Sequence, residues 1–560
     1  MTTNVQRLTA LVGRESWSTY VKTYALGAVA ALLETASIAA IFPLVAVIMA
    51  RQNGAAPAWF GWGSAGSAFG LLGLLYVAGL ALRALAIHQA AKVNLSQGYL
   101  FSARLFEKAL DQPYEWHFSN HSSDTRAAII SDAHDLISFV TIPLGRLISQ
   151  AVLVVAVTAV LFVVHPVATA VFGGAIVAIY AVIFVLLRGP LKLDGESQIR
   201  AHARRHRLSS EAFAAGREVR LSHLEARFVQ DFAAASDQLA RSGKNRTAFT
   251  ELPKLVLEAL IFTMLAWVLY FAVASSTPIG AGYLPSLAVF AAAGLKLFPM
   301  GHQVFVNLAT LRSGWPLVAK FEQVFQGFQP RGPEVPCPPL RHGISFKDVA
   351  FTYPGNATPS ISGISFAAHL GQKVAITGPS GAGKSTLIDV IAGLLQPSAG
   401  VVQLDAADRH PAQCRSWQKQ LRYCPQSPVL FDVSIAENIT LGQPCPPDRL
   451  QAALHLACFD EVLDGRNLSL GTFVGEQGQN LSGGQIKRIG IARALLDDVA
   501  VYVLDEPTSN LDSATGSAMI ARVFAARPEA IIFVVTHDQR LASQCDFVID
   551  LSPQDDGSGL

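Results

Sequence analysis

Six long apolar stretches before residue 311 constrain this chain more than any other feature. They run approximately Tyr24–Ala50, Ala68–Ala91, Leu136–Val164, Val167–Leu187, Leu252–Ala274 and Leu284–Leu308. Each is long enough to cross ~30 Å of hydrocarbon as a helix. A buried soluble helix rarely stays apolar over that distance, and six in succession point to a membrane-embedded domain. Composition agrees: 51% of residues are hydrophobic and 15% charged, against roughly a quarter charged in ordinary globular domains. The surplus apolar surface must face something other than water, and membrane lipid is the partner it implies. The net charge of +2 exerts no strong pull on nucleic acid, so no nucleic-acid partner is expected.

The connections between the stretches are unequal. Lys92–Asp135 and Arg188–Glu251 are long, polar and Arg-rich, with apolar positions at helical spacing such as Phe213, Phe228 and Phe232. They read as helices continuing beyond the membrane. His165-Pro166 and Ser275–Gly282 are short or nearly uncharged. The positive-inside rule therefore assigns the N-terminus, both long loops and everything after the sixth stretch to the cytosolic side of an inner (cytoplasmic) membrane. Met1–Tyr20 has no apolar core with a small-residue cleavage site, so no cleavable leader is expected. A Pro-rich segment, Gln329–Leu340, follows the sixth stretch. Beyond it, short β-branched runs (Lys373–Thr377, Val401–Leu404, Val501–Leu504, Ile531–Thr536) alternate with helix-like segments, the signature of a parallel α/β sheet. The expected domains are 1–328 in the membrane with two long cytosolic loops, 329–340 as linker and 341–560 as a cytosolic domain. All six cysteines fall at or after Cys337, spaced neither as CxxC nor as a paired framework. That suits a reduced cytosolic half better than a disulfide or zinc scaffold.

In that C-terminal half, Val374–Thr377 reads as a strand ending in Gly378-Pro379-Ser380-Gly381-Ala382-Gly383-Lys384-Ser385-Thr386, with a helix beginning at Leu387-Ile388. This is a phosphate-binding loop in the strand–loop–helix context it requires. Its glycines let backbone N–H groups wrap the phosphates of ATP, Lys384 reaches the β- and γ-phosphates, and Ser385 can ligate Mg²⁺. Val501–Leu504 is an apolar strand ending in Asp505-Glu506. A carboxylate pair at a strand's C-terminal end is placed for Asp505 to act through Mg²⁺ and for Glu506 to polarise an attacking water.

Between these motifs, Leu481-Ser482-Gly483-Gly484-Gln485 opens a helix that includes Arg488 and Arg493. The pentapeptide resembles the signature of ABC ATPases, and further elements of that family occur in order. Tyr353 resembles the aromatic that stacks on adenine, and Gln426 the glutamine that senses Mg²⁺ and the membrane domain. Ser509–Asp512 resembles the D-loop and His537 the switch histidine. The resemblance covers essentially the whole chain. It implies the ABC exporter fold: an α-helical six-span transmembrane domain plus an α/β P-loop ATPase domain. It also implies that a signature helix offers its N-terminus to the γ-phosphate held by another subunit's P-loop. One intact P-loop and one intact signature per chain are enough for a homodimer with two competent sites. Tyr114–Asp124 and Ala214–His223, midway along the two long loops, correspond to the segments that ABC exporters dock on their ATPase domains.

The cargo is less constrained. A membrane domain preceding its own ATPase resembles exporters. Glu34, Arg83, Glu258 and Lys296 lie within apolar stretches and Lys254 at the entry of the fifth; a central cation costs about 2.5–3.5 kcal/mol on insertion scales and needs a reason. The surroundings of Glu34, Pro43, Arg83, Lys254, Glu258, Lys296 and Pro299 are similar to those in the lipid-linked oligosaccharide flippases of bacterial N-glycosylation. That likeness implies that Arg83, Lys254 and Lys296 engage a lipid pyrophosphate. The family usually has Arg at the last two positions; Lys keeps the charge but loses the bidentate fork. Trp59, Phe60 and Trp62 resemble that family's external interface-lying segment, and equally an ordinary aromatic belt. Export of a small antimicrobial peptide or of another lipid is the alternative, and a channel or regulator that does not pump is disfavoured by the intact Glu506.

Overall fold

The computed structural model describes residues 14–39, 65–119, 122–164, 166–274, 284–328, 337–405, 411–414, 416–465 and 468–552. The chain divides into two compact units. One comprises Met1–Gln112 and Asn120–Gln329, the other Pro113–Ser119 and Pro330–Leu560.

The first unit is helical. Its helices are α1 (Arg14–Ala39) and α2 (Ala65–Leu110), then α4 (Ser122–Ala127), α5 (Ala133–Leu136) and α6 (Ile142–Val164), which are joined through π-helical turns at Ala128–Asp132 and Ile137–Thr141. They continue as α7 (Pro166–Ala214), α8 (Gly216–Leu221), α9 (Glu225–Ala274) and α10 (Leu284–Gln326). Each apolar stretch of the sequence falls on one of these helices, the first as far as Ala39. Helices α2, α7, α9 and α10 have 46, 49, 50 and 43 residues. At 1.5 Å per residue they are about twice as long as the hydrocarbon layer is thick, which is why polar sequence adjoins the apolar part on the same helix. Three described segments, Gly73–Leu110, Thr125–Val163 and Thr169–Ala214, are long and apolar enough to cross a membrane. Their outer faces carry exposed Leu74, Val155, Val163, Val177 and Leu186, as a surface solvated by lipid requires.

Small residues bring these helices together. A Cβ on Gly195 would stand 2.0 Å from the Ser313 carbonyl oxygen, and one on Gly314 would stand 2.6 Å from the Phe139 Cβ. Backbones that close exclude any side chain, the packing device of helices that lack a hydrophobic drive to associate. Polar residues also meet inside the unit: Asn307 donates to Gln150 at 3.0 Å, and the buried Asp132 pairs with Lys320. Pro43, Trp59, Phe60, Trp62 and residues 329–336 lie outside the described residues, as does the side chain of Lys296.

The second unit holds two sheets. A parallel one has strands in the order β5 (Leu421–Cys424), β6 (Val501–Asp505), β7 (Ile531–Val535), β3 (Lys373–Thr377) and β8 (Phe547–Asp550). Strands β6 and β7 are apolar almost throughout and buried on both faces, as central strands of a helix-covered sheet must be. The other sheet is antiparallel: β1 (Gly343–Phe351) lies between β2 (Ile361–His369) and β4 (Ala399–Leu404). Val401–Leu404 therefore does not join the parallel sheet, contrary to the sequence reading. Strand β4 instead pairs antiparallel with β1, Ile344 opposite Leu404, and a β-branched run by itself does not distinguish the two sheets. The unit's helices are α11 (Lys384–Ile391), α12 (Ile435–Thr440), α13 (Pro447–Leu456), α14 (Asp460–Gly465), α15 (Gly483–Leu495), α16 (Ser513–Ala526) and α17 (Gln539–Ala542).

The short helix α3 (Tyr114–Ser119) comes from the first long loop yet packs within this second unit. Glu115 accepts a hydrogen bond from the Gln396 amide at 3.3 Å, and the Phe118 ring meets the Tyr353 ring edge-on at 5.7 Å. The second loop's corresponding turn, α8, belongs to the first unit; its Leu221 is exposed, as is Phe213 at the end of α7.

Candidate functional site

Strands that run parallel end at the same edge, and four neighbouring strands of this sheet end in the residues singled out by sequence. Gln426 follows β5, Asp505 and Glu506 close β6, His537 follows β7, and Gly378 follows β3. Ligand sites of open α/β sheets form at this carboxyl edge, where loops diverge over helix N-termini.

After β3 the chain turns through Gly378, Gly381 and Gly383 with φ of 144°, 84° and 92°, a region L side chains rarely adopt. At Gly383 space forbids a side chain as well, because a Cβ would come within 2.4 Å of Ile361 Cγ2 and of the Ser360 carbonyl oxygen. Gly383 caps α11, and Lys384 folds back so that its Nζ donates to the carbonyls of Gly378 (2.7 Å) and Pro379 (3.0 Å). The ammonium thus sits over the loop formed by Pro379, Ser380, Gly381 and Ala382, with Ser385 and the buried Thr386 next on the helix. Tyr353, two residues past β1, shares a hydrogen bond with the Thr386 hydroxyl (3.3 Å) and meets Phe351 edge-on at 5.0 Å. These contacts bring it beside the P-loop.

At the end of β6, Glu506 takes a left-handed backbone (φ 46°) while its N–H donates to the Val535 carbonyl. This turn presents the carboxylate between two neighbours. Gln426 Nε2 donates to Glu506 Oε2 at 3.0 Å, and His537 Nε2 lies 3.5 Å from Glu506 Oε1. Sequence gave these three residues separately; folding makes them one constellation. The signature is built differently. Ser482 caps α15 in a reciprocal box with Gln485: its Oγ accepts from the Gln485 N–H and its own N–H donates to Gln485 Oε1 at 2.8 Å. Gly483 and Gly484 then pass against Asn510 of the D-loop segment, where a Cβ on Gly484 would stand 2.7 Å from the Asn510 carbonyl.

Three residues that sequence reading passed over belong to this site. Tyr423 on β5 donates to Asp505 Oδ2 at 3.4 Å. Burial, with Asp505 and Asp389 adding like charge, pushes its phenol well above the ordinary range. Burial raises the Asp505 carboxyl, against the opposing influence of Lys487. Asp389, five residues beyond Lys384, is pushed up to about 6 by burial and then by Asp505. Lys487 is almost fully buried in the signature helix. No motif marks these positions; only the placing of β5, α11 and α15 in the fold reveals Tyr423, Asp389 and Lys487.

The donor set fits Mg²⁺-bound ATP: N–H-lined glycine turns and an ammonium for phosphate, and hydroxyl, amide and carboxylate oxygens of Ser385, Gln426 and Asp505 for a hard cation.

Of the candidate cargo residues, Arg83 and Lys254 have described side chains. Arg83 does not stand alone: its Nη1 donates to Glu34 Oε1 (3.3 Å) and Oε2 (3.2 Å), joining α2 to α1. Glu34 is 1% exposed, whereas Arg83 keeps 44% of its side chain exposed. Lys254 is half-buried on α9, and Glu258, one turn on, is exposed. Among the described residues the structure joins Arg83 to Glu34 and not to Lys254.

Comparison with known proteins matches both units. Residues 25–292 match the family model for the ABC transporter transmembrane region, and residues 361–509 that for the ABC transporter. The chain is 32% identical over 397 residues to "ABC transporter ATM1" of Toxoplasma gondii, covering 62% of this chain and 34% of that protein. It is 41% identical over 202 residues to the mycobactin import ATP-binding/permease protein IrtB of Mycolicibacterium thermoresistibile (36% and 34% covered). It is 29% identical over 258 residues to the ATP-dependent lipid A-core flippase of Paraburkholderia xenovorans (46% and 43%). The matched part thus spans about a third to two fifths of these relatives' length. Among solved structures, a bacterial Atm1-family ABC exporter with ATP bound superposes with a TM-score of 0.76 at 21% identity, over 96% of this chain and 94% of that one.

Proposed function

We propose, for a chain that has the ABC exporter fold with its helical transmembrane domain and P-loop ATPase domain on one polypeptide, that it hydrolyses ATP to drive an amphipathic substrate across the inner membrane as a homodimer. The observation that carries this is the Gln426–Glu506–His537 constellation beside the P-loop on one sheet edge. Lys384 and the 378–383 turns hold the β- and γ-phosphates, and Tyr353 receives the adenine. Ser385, Gln426 and Asp505 would hold Mg²⁺, which when bound would neutralise phosphate charge. Glu506 accepts a proton from the attacking water, and His537, within reach of the same carboxylate, holds the γ-phosphate side of the site. Ser482, Gly483, Gly484 and Gln485 serve the nucleotide bound by the second copy, so each chain completes its partner's site. Residues 1–328, 329–340 and 341–560 act as transmembrane domain, linker and ATPase domain.

The cargo we propose is a polyprenyl-pyrophosphate-linked glycan. The reading is supported by the resemblance of the sequence around Arg83, Lys254 and Lys296, and by Arg83 keeping 44% of its side chain exposed while it pairs with the buried Glu34. The relatives' names cover different cargoes, so the substrate itself has to be assayed. In proteoliposomes, Arg83→Gln combined with Lys296→Gln is expected to abolish flipping of the pyrophosphate-linked glycan while most basal ATPase activity remains. Normal flipping by the double variant, or transport of peptides alone by the wild type, overturns the cargo assignment. Glu506→Gln tests the engine: hydrolysis is expected to fall by at least about 10²-fold with ATP binding retained. Near wild-type turnover would remove Glu506 from its role.

A further inference from the structure

Lys487 is 1% exposed, and in such a place an ammonium is tolerated only when its hydrogen-bonding capacity is filled. Its three N–H groups are matched to three carbonyls: Pro425 at 3.0 Å, Gln426 at 3.1 Å and Asp505 at 2.7 Å. Two of these belong to the loop that follows β5, the third to the last residue of β6. One side chain on the signature helix therefore ties the backbone that carries Gln426 to the backbone that carries Asp505 and Glu506. A second contact fixes the same surfaces. Gly490, nearly one turn further along α15, lies so close to Pro428 that a Cβ would stand 2.3 Å from its Cγ. The helix and the 425–428 loop are thus in register at two points, one polar and one steric.

We infer that Lys487 is a positioning residue for ATP hydrolysis, setting the Gln426–Glu506 hydrogen bond by holding both backbones to the signature helix. Its consequence for coupling is direct. The signature helix, the glutamine loop and the strand-end carboxylates move as one piece, because the bonds that join them are charge-assisted and shielded from water. Any displacement of α15 is passed to the carbonyl of Gln426 and to that of Asp505 together. The inference rests on the reading that this site hydrolyses ATP, but its structural part does not.

The test uses the full-length protein in detergent or nanodiscs and two substitutions. Lys487→Met keeps the length and removes every donor; Lys487→Gln restores two N–H groups without charge. Hydrogen–deuterium exchange of the nucleotide-free protein reads the tether without any activity. Exchange within residues 424–432 is expected to quicken by about tenfold or more in Lys487→Met, with the remainder of the ATPase unit unchanged, and to return most of the way in Lys487→Gln. In steady-state assays kcat is expected to fall at least about tenfold in the Met variant with KM for ATP within about twofold of wild type, again largely recovered by Gln. Unchanged exchange at 424–432, or faster exchange spread over the whole unit in both variants, overturns the inference. Should Lys487→Met not fold, Lys487→Gln decides alone: a modest rise confined to 424–432 supports it, and no rise or a general one overturns it. A wild type that does not hydrolyse ATP would instead overturn the proposed function, while a wild type that hydrolyses beside a fully active Met variant would overturn only the role of Lys487.

Discussion

Asp389 shows how a single residue records its surroundings. Half-buried near Asp505, its carboxyl is held at about 6 rather than 3.8, so the nucleotide-free fold disfavours the ionised form. A group whose folded pKa is raised in this way costs stability once the pH exceeds the unfolded value, with the cost complete above about 6 and absent well below 3.8. Asp389→Asn is therefore expected to stabilise the nucleotide-free protein at pH 8, by up to about 2 kcal/mol, and to leave it little changed at pH 4. Thermal unfolding at both pH values checks this. Equal shifts at the two would mean that the effect is not electrostatic.

Among elements, the contact of α7 with α10 in the membrane unit leaves no room for a side chain at Gly195. A Cβ at Gly195 would meet the Ser313 carbonyl at 2.0 Å, and carbonyls of a helix backbone cannot rotate aside as a side chain can. Gly195→Ala is expected to destabilise by about 1–3 kcal/mol, the range for overpacking, seen as a lowered unfolding temperature in detergent. Gly173→Ala, on the same helix with nothing within 4 Å of the added Cβ, serves as the control and should not lower it. The capping box of α15 is milder: Ser482→Ala loses one N-terminal hydrogen bond, a matter of about 1 kcal/mol. Any larger loss of hydrolysis in that variant would report the residue's role toward a nucleotide rather than toward its own helix.

For the whole molecule, the property to test is the proposed division of each nucleotide site between two copies. Lys384→Ala chains and Ser482→Arg chains should each be inactive alone. Co-expressed, they form mixed dimers in which one site joins an intact P-loop to an intact signature. Recovery of ATPase activity in the purified mixed species is the expected result. Hydrolysis by a strict monomer at every concentration would refute the shared site.

Some of this was written along the chain and some was not. Six apolar stretches, a glycine-rich loop between strand and helix, and a strand ending in Asp505-Glu506 are local patterns. Each is dictated by a constraint that acts over a few to twenty-five residues: the thickness of hydrocarbon, the conformational freedom of glycine, the burial of a central strand. Local pattern singled out Lys384 and Glu506, the resemblance to ABC ATPases added Gln426 and His537, and the fold sets these last two beside Glu506. Local pattern was not enough to sort Val401–Leu404 into its antiparallel sheet, because a strand's partner is chosen by topology and not by its own composition. Nor could it show that Arg83 is paired with Glu34, 49 positions away, that Tyr423 reaches the Asp505 carboxylate, or that Lys487 bonds the backbone carbonyls of Gln426 and Asp505. A buried charge in a helix of mixed composition looks like a solvated one until the partners that satisfy it, drawn from two distant segments, are brought to it by the fold.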